Sequence, residues 1–358
     1  MPSNTPRIGI VGARGAVGTE ARSTLSQREF AADSIVCFGS ARSEGTHVLY
    51  GSDSLTIQPM NSIANHELDY ILCCADAQAA REVANSLHGD STTIIDNSSA
   101  FRADPDVPLV IPEINADLLT PHTRLVANPN CSTIMMLRAL DPIRRTYGIQ
   151  RVSTTTYQAV SGAGRTGIEE LHRLTRAYLN EQPAKSSVFP VSCAFNVFEH
   201  ESAIDPETGF NGEELKMISE TRKIWGLPDL SILPTCVRVP VERAHAQSVT
   251  VDLEHPACLT SIGEALRTHS IRVLEPGDPL TPHDAAGGDD VIVGRIRIDP
   301  DSQSRRVTLW ICCDQIRKGA ALNAIQIMEC LIEQRHGSKK EHTPGVACAE
   351  EQNRKVLA

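Results

Sequence analysis

Positive charge is in deficit in this chain: 34 Lys and Arg stand against 44 Asp and Glu, a formal net charge of −10. A field of that sign argues against nucleic acid or an anionic membrane as a partner, so an anionic ligand has to be held by a local group of cations. No apolar run approaches the length of a membrane span. No signal peptide is visible ahead of the first strand-like run near Arg7, so a cytoplasmic protein is expected. The 11 cysteines are odd in number and include no C-x-x-C pair. Cys73–Cys74 and Cys312–Cys313 are merely adjacent, inside apolar runs. These absences argue against a disulfide framework and against a zinc site; mostly inert core thiols and no bound metal are expected. No internal repeat is present.

What is there is an ordinary globular composition, 41% hydrophobic and 22% charged over 358 residues, which suits about two domains with sizeable cores. The chain opens RIGIVGARGAVGTEA, a buried-strand pattern running through glycines into a helical one. SIVCFGS, LDYILCCA, STTIIDNSS, LVIPEI and RLVAN follow as short apolar runs, with helical or loop-like segments such as AQAAREVANSL between several of them. That alternation predicts a doubly wound parallel sheet. From about Arg151 the runs lengthen and alternate: RVSTTTYQAV, SILPTCVRVPV, AQSVTVDLE, DVIVGRIRID and RRVTLWICCD predict a mixed or antiparallel sheet with helices such as GIEELHRLTRAYLNEQ. KGAALNAIQIMECLIEQR predicts a last amphipathic helix. The polar segment after it is expected to be loose.

Gly12, Gly15 and Gly18 are spaced G-x-x-G-x-x-G between the first strand and the first helix. Glycines there let the backbone approach a pyrophosphate, whose charge the helix N-terminus favours, so a dinucleotide site is expected. After the second strand, FGSARSEG offers Ser40, Arg42 and Ser43 where a cofactor without a 2′-phosphate usually meets an acid. NADP is therefore expected over NAD.

NPNCST, residues 128–133, places Cys131 at a strand-to-helix turn, as either one more buried thiol or a nucleophile whose thiolate a helix N-terminus and nearby cations promote. CVRVPVERAHAQS carries Arg238 and His245 seven apart. They are either plain surface residues or a carboxylate clamp and a proton carrier, reaching one cleft from a strand end and the loop after it. DNSSAFR, ending at Arg102, could hold a phosphate. Glu213 and Lys216 share a helix face as either a solvated ion pair or an amine-recognising carboxylate beside a phosphate-recognising amine.

Taken together and in order, GARGAVG, SARS, DNSSAFR, PEIN, NPNCST, YQAVSGAG, EELKMISETRKI, CVRVPVERAH and DQIRKGAALNA resemble the aspartate-β-semialdehyde dehydrogenase family over roughly residues 7–335. The resemblance implies an α/β fold: an N-terminal Rossmann-type NADP-binding domain (1–130), a C-terminal α+β catalytic and dimerisation domain (131–315) and a helix returning to the first domain (316–336); the polar composition of 337–358 predicts a flexible tail. It implies NADPH-dependent reductive dephosphorylation of L-aspartyl 4-phosphate to aspartate semialdehyde, in lysine, threonine and methionine biosynthesis, by a homodimer or a pair of dimers. By this similarity Cys131 is the nucleophile, His245 the acid/base and Gln158 the residue that orients the acyl group. Arg238 binds the α-carboxylate and Glu213 the α-amino group, while Arg102, Lys216 and Asn130 form the phosphate site. Gly12, Arg14, Gly15, Ala16, Val17, Ser40, Arg42, Ser43, Ser161, Gly162 and Gln315 match cofactor contacts. One stretch departs from the family: ADAQ, residues 75–78, stands where small residues and glycines are common, and Asp76 is expected to bear on cofactor affinity or preference. Two alternatives are an N-acetyl-γ-glutamyl-phosphate reductase, against which the free carboxylate of Glu213 argues, and a non-catalytic paralogue.

Overall fold

The computed structural model describes residues 5–337; the loose segment expected at 337–358 lies, apart from residue 337, outside them. The first half builds one seven-stranded sheet. Its strands are β1 (Ile8–Val11), β2 (Ile35–Gly39), β3 (His47–Tyr50), β4 (Asp53–Pro59), β5 (Tyr70–Cys73), β6 (Thr93–Asp96) and β7 (Leu125–Ala127), in spatial order 3-4-2-1-5-6-7. All neighbours are parallel except β3, which pairs antiparallel with β4. The β3–β4 hairpin is absent from the sequence reading because HVLY alternates exposed and buried residues and β4 is mostly half-buried or exposed. LVIPEI is not a full strand: Leu109 makes a single bridge to Ala127, and Pro112 then starts a short helix.

The helices here are α1 (Ala16–Gln27), α2 (Ala77–Ser86) and α3 (Pro112–Asn115). Gly12 has φ +75°, and a Cβ there would lie 2.6 Å from the carbonyl oxygen of Cys74. Only glycine lets β1 turn this tightly into α1. Asp76, in the departing ADAQ stretch, is the N-cap of α2, its carboxylate accepting the Ala79 N–H at 2.9 Å.

The second half carries α4 (Cys131–Tyr147), α5 (Arg165–Leu179), α6 (Gly212–Trp225), α7 (Leu259–Leu266), α8 (Pro282–Ala285) and α9 (Leu322–Gly337). Its strands are β8 (Ile149–Gln158), β9 (Phe198–Glu199), β10 (Ser231–Arg238), β11 (His245–Leu253), β12 (Ile271–Val273), β13 (Val291–Ile298) and β14 (Arg306–Cys313). They form a mixed sheet in order 12-13-14-11-8-10-9. Almost every side chain in the first three turns of α4 is buried, and Ile134, Met136, Leu137 and Leu140 fill the space between this sheet and α6 and α7.

The last segment does not form one continuous α-helix. Residues Arg317–Ala321 form a π-helical turn, and only then does α9 begin. Ala324, Ile325, Ile327, Met328 and Leu331 join Ile8, Ile10 and Leu72 in the first sheet's core. The turn's Lys318 is fully buried, with Nζ donating to Glu113 at 2.7 and 3.0 Å. Burial works against the charge of Glu113, but Lys318 and then Arg138 hold its carboxyl down at about 2. Replacing Lys318 by Met should therefore destabilise the fold by about 3 kcal/mol, because Glu113 keeps its site and loses its main cation. Denaturant unfolding measures this, and a loss within error would show that the pair contributes nothing net.

Candidate active site

Gln158 ends β8 and Arg238 ends β10, and the two are partners in register. His245 opens β11, on the other side of β8, where Ala246 faces Tyr157. His245 therefore lies on a strand and not in the expected loop; the intervening turn lets β10 and β11 flank β8. These three strand ends meet the N-terminus of α4. Gln247 donates to the Ser132 carbonyl at 2.9 Å and Gln158 to the Ser132 hydroxyl at 3.1 Å.

The helix starts at Cys131 itself. Asn130 is its cap, with Oδ1 accepting the N–H groups of Ser132 and Thr133 at 2.9 and 3.2 Å. Behind the cysteine the π-helical turn comes so close that a Cβ on Gly319 would lie 2.9 Å from Cys131 Cβ. No sequence signal marked that glycine. Cys131 as a whole residue is part-exposed.

Charged groups converge on the same place. Glu213, in the first turn of α6, accepts from Asn130 Nδ2 at 2.8 Å, Gln158 Nε2 at 3.2 Å and Lys216 Nζ at 3.3 Å. Two turns further, Glu220 takes the Asn130 backbone N–H at 2.6 Å and Arg102 Nη1 at 3.2 Å. Arg102 also donates to the carbonyls of Asn128 and Asn97, at 2.8 and 2.7 Å. Arg238 donates to the Gln158 side-chain oxygen, the Ala159 carbonyl, His200 and Glu201. Glu220, His200 and Glu201 were not singled out from the sequence. Glu220 had a signal, the seven-residue spacing from Glu213 along one helix face; His200 and Glu201 had none.

These neighbours set the protonation states. Burial, and then Glu213, push the Cys131 thiol up to about 11, against the pull of Arg102, Arg238 and the Ser132 N–H. The thiolate that a helix N-terminus and cations were expected to promote is thus not the resting form, because desolvation and one carboxylate outweigh them. Glu213 itself is held at about 2: burial works against its charge, but Lys216, His200 and the amides of Asn130 and Gln158 prevail. His245 is fully buried, and burial and then Arg238 lower it to about 3, so the ring is neutral. Its Nδ1 accepts the Ala159 N–H at 3.0 Å, which puts the ring proton on Nε2, and Nε2 has no partner. In this tautomer Nε2–H is a hydrogen-bond donor.

A cavity of about 590 Å³ opens at the C-terminal ends of β1 and β2, lined by Gly12, Arg14, Gly15, Ser40, Arg42 and Ser43 and, across it, by Asp76 and Gln78. Backbone glycines at a helix start, with hydroxyls and guanidinium groups and with cavity space in front of them, suit a dinucleotide. Ala16 and Val17 begin α1 beside this cavity without lining it. Ser161, Gly162 and Gln315 lie instead by the chemical cluster: Gln315 donates to Ser161 Oγ at 2.5 Å and accepts the Ala244 N–H at 2.9 Å, and Gly162 packs against Arg238. Glu20 of α1 joins the two regions, accepting Arg243 Nη2 at 2.6 Å and Arg317 Nη1 at 2.9 Å. Among the described residues no group of three or more His, Cys, Asp or Glu could hold a metal ion, and no helix is long and apolar enough to cross a membrane.

Comparison with known proteins finds two family models: "Semialdehyde dehydrogenase, NAD binding domain" over residues 7–122 and "Semialdehyde dehydrogenase, dimerisation domain" over residues 140–318. The chain is 40% identical to the aspartate-semialdehyde dehydrogenase of Synechocystis, covering 93% of this chain and 99% of that one. With the Bacillus subtilis enzyme of the same name it shares 38%, over 90% and 96%. A crystal structure of aspartate semialdehyde dehydrogenase II from Vibrio cholerae, complexed with ASA, superposes with a TM-score of 0.85 at 37% identity, covering 92% of this chain and 98% of that one.

The electrostatics of the thiol can be measured without substrate. Alkylation of Cys131 by iodoacetamide should be slow at neutral pH and accelerate as pH rises toward the thiol's own range. Glu213→Gln removes the largest charge opposing the thiolate and should raise the rate at pH 8 by about tenfold, one unit of thiol pKa. An unchanged or slower rate would remove Glu213 as the group that keeps the sulfur protonated.

Proposed function

The chain belongs to the aspartate-semialdehyde dehydrogenase family, and from that premise we propose that it reduces L-aspartyl 4-phosphate to aspartate semialdehyde and phosphate, with NADPH as reductant and Cys131 as nucleophile. The observation that carries this reading is that Arg102, Arg238 and the buried carboxylate of Glu213 all act on the thiol of Cys131 at a helix N-terminus, with Lys216 paired to Glu213 and a neutral His245 beside Arg238 and Glu213.

Substrate charge fits the site group by group. Glu213 takes the α-ammonium, Arg238 the α-carboxylate, and Arg102 with Lys216 the phosphate, beside Asn130. Docking the ammonium on Glu213 also neutralises the charge that most opposes the thiolate, so the substrate itself eases ionisation of Cys131. The sulfur then bonds to the acyl carbon, the carbon–oxygen bond to phosphate breaks, and the thiol proton ends on the departing phosphate. Gln158 orients the acyl group. His245, neutral and protonated on Nε2, donates to the acyl oxygen as negative charge gathers there, which is the form its acid/base role takes in this geometry. A nicotinamide cofactor, when bound in the glycine-lined cavity, supplies hydride to the acyl carbon. On release of aldehyde the carbon–sulfur bond breaks and its electron pair returns to Cys131, with His245 Nε2–H steadying the sulfur anion.

Arg42, Ser40 and Ser43 support NADP over NAD, because a guanidinium and hydroxyls suit a 2′-phosphate, while the cavity's acids, Asp76 and Glu82, belong to α2 and its cap. The homodimer is proposed on the second family model, whose description is a dimerisation domain.

The reverse reaction tests the function: aspartate semialdehyde, phosphate and NADP⁺ should yield NADPH. Cys131→Ala should lower the rate about a thousandfold or more while cofactor binding and circular dichroism persist. Substantial activity in that variant would refute the nucleophile. Arg42→Ala should raise KM for NADPH about tenfold and leave KM for NADH near its starting value. Equal effects on both would remove the argument for NADP.

A further inference from the structure

Three cations of the substrate site each already hold a carboxylate: Arg102 with Glu220, Lys216 with Glu213, and Arg238 with Glu201. The three pairs are not equivalent. Glu220 is almost wholly buried and also holds the Asn130 backbone, so it stays in place. Glu213 is fixed by two side-chain amides besides Lys216. Glu201 is the most exposed of the three carboxylates, at 24%, and its carboxylate is held by Arg238 and by its own backbone N–H.

The contact with Arg238 is bidentate. Nε donates to Glu201 Oε2 at 3.0 Å and Nη2 to Oε1 at 2.7 Å, the geometry with which a guanidinium grips a free carboxylate. The remaining N–H groups go to His200, Gln158 and the Ala159 carbonyl. All five donors of Arg238 are therefore spent before any ligand arrives. Glu201 also lines a separate cavity of about 410 Å³, bounded by Phe198, Ile204, Asn211 and Cys236, into which a released side chain has room to turn.

We propose that Glu201 is a placeholder: its carboxylate occupies the guanidinium fork of Arg238 in the empty protein and is displaced when the substrate's α-carboxylate docks there. This rests on the role of Arg238 proposed above. Until Glu201 leaves, the three cations are matched by three carboxylates and the site is neutral; its departure exposes one positive charge for an anionic substrate. A ligand without a carboxylate has nothing to exchange for Glu201, so the swap also selects for that group. Glu201 then sets substrate affinity by competition.

Steady-state kinetics in the reverse direction read this directly. Glu201→Gln and Glu201→Ala should each lower KM for aspartate semialdehyde by about fivefold, the worth of one part-exposed ion pair, while KM for NADP⁺ stays at its wild-type value. Malonate, a small carboxylate probe, should inhibit both variants more tightly than wild type, competitively with aspartate semialdehyde. A KM that rises in both variants, as it should in Arg238→Lys, would overturn the placeholder and make Glu201 a strut that positions Arg238. A wild type with no activity on aspartate semialdehyde would instead remove the proposed function; malonate binding by calorimetry, tighter in Glu201→Ala than in wild type, then still tests the exchange.

Discussion

Glu220 accepts the backbone N–H of Asn130 at 2.6 Å through one oxygen and Arg102 at 3.2 Å through the other, with almost no water around it. Burial pushes its carboxyl up, and Arg102 with the Asn130 N–H pulls the other way. That carboxylate ties α6 to the loop that ends at Cys131 and fixes a cation beside it. The side chain of the same Asn130 caps α4 through Oδ1 and donates to Glu213 through Nδ2. The position of the cysteine, the charge beside it and the start of its helix are thus consequences of one buried acid and its partners.

Around this anchor the site is built from groups satisfied twice over. Gln158 gives its amide N–H to Glu213 and Ser132 while its oxygen receives Arg238. His245 is locked in one tautomer by a backbone N–H, and its other nitrogen is left open. A buried polar atom without a partner is costly. Nε2 of His245 is one such atom, and it stands beside the part-exposed cysteine's cluster.

The two halves of the molecule meet through charge as well as packing. Glu20 on the glycine-loop helix holds Arg243, two residues before His245, and Arg317, at the head of the turn that presses Gly319 onto Cys131. Asp314 closes the ring by accepting Arg243 Nε at 2.5 Å and the N–H groups of Ile316 and Arg317. α1 is therefore tied by hydrogen bonds, through Glu20, Arg243, Asp314 and Arg317, to the turn whose Gly319 packs against Cys131.

Several features were legible in the residues alone. Short runs of β-branched and apolar residues between helical patterns determine a parallel sheet, because such strands are buried on both faces; Tyr70–Cys73 and Thr93–Asp96 are examples. The glycine loop was legible for a local reason too: Gly12 takes a positive φ where a Cβ would meet the Cys74 carbonyl. The motifs around Cys131, Arg238 and Glu213 carried enough resemblance to indicate the family. What only tertiary structure decided is everything that depends on a distant partner. The half-exposed hairpin β3–β4 lacked a clean period. The π-helical turn arises where Gly319 must fit against Cys131, nearly two hundred positions earlier in the chain. The thiol's protonation depends on a carboxylate from α6, and His245 takes its tautomer from Ala159, a residue whose own side chain is mute. Local patterning fixes which elements form; desolvation and charge, which act through space, fix what the side chains at their ends can do.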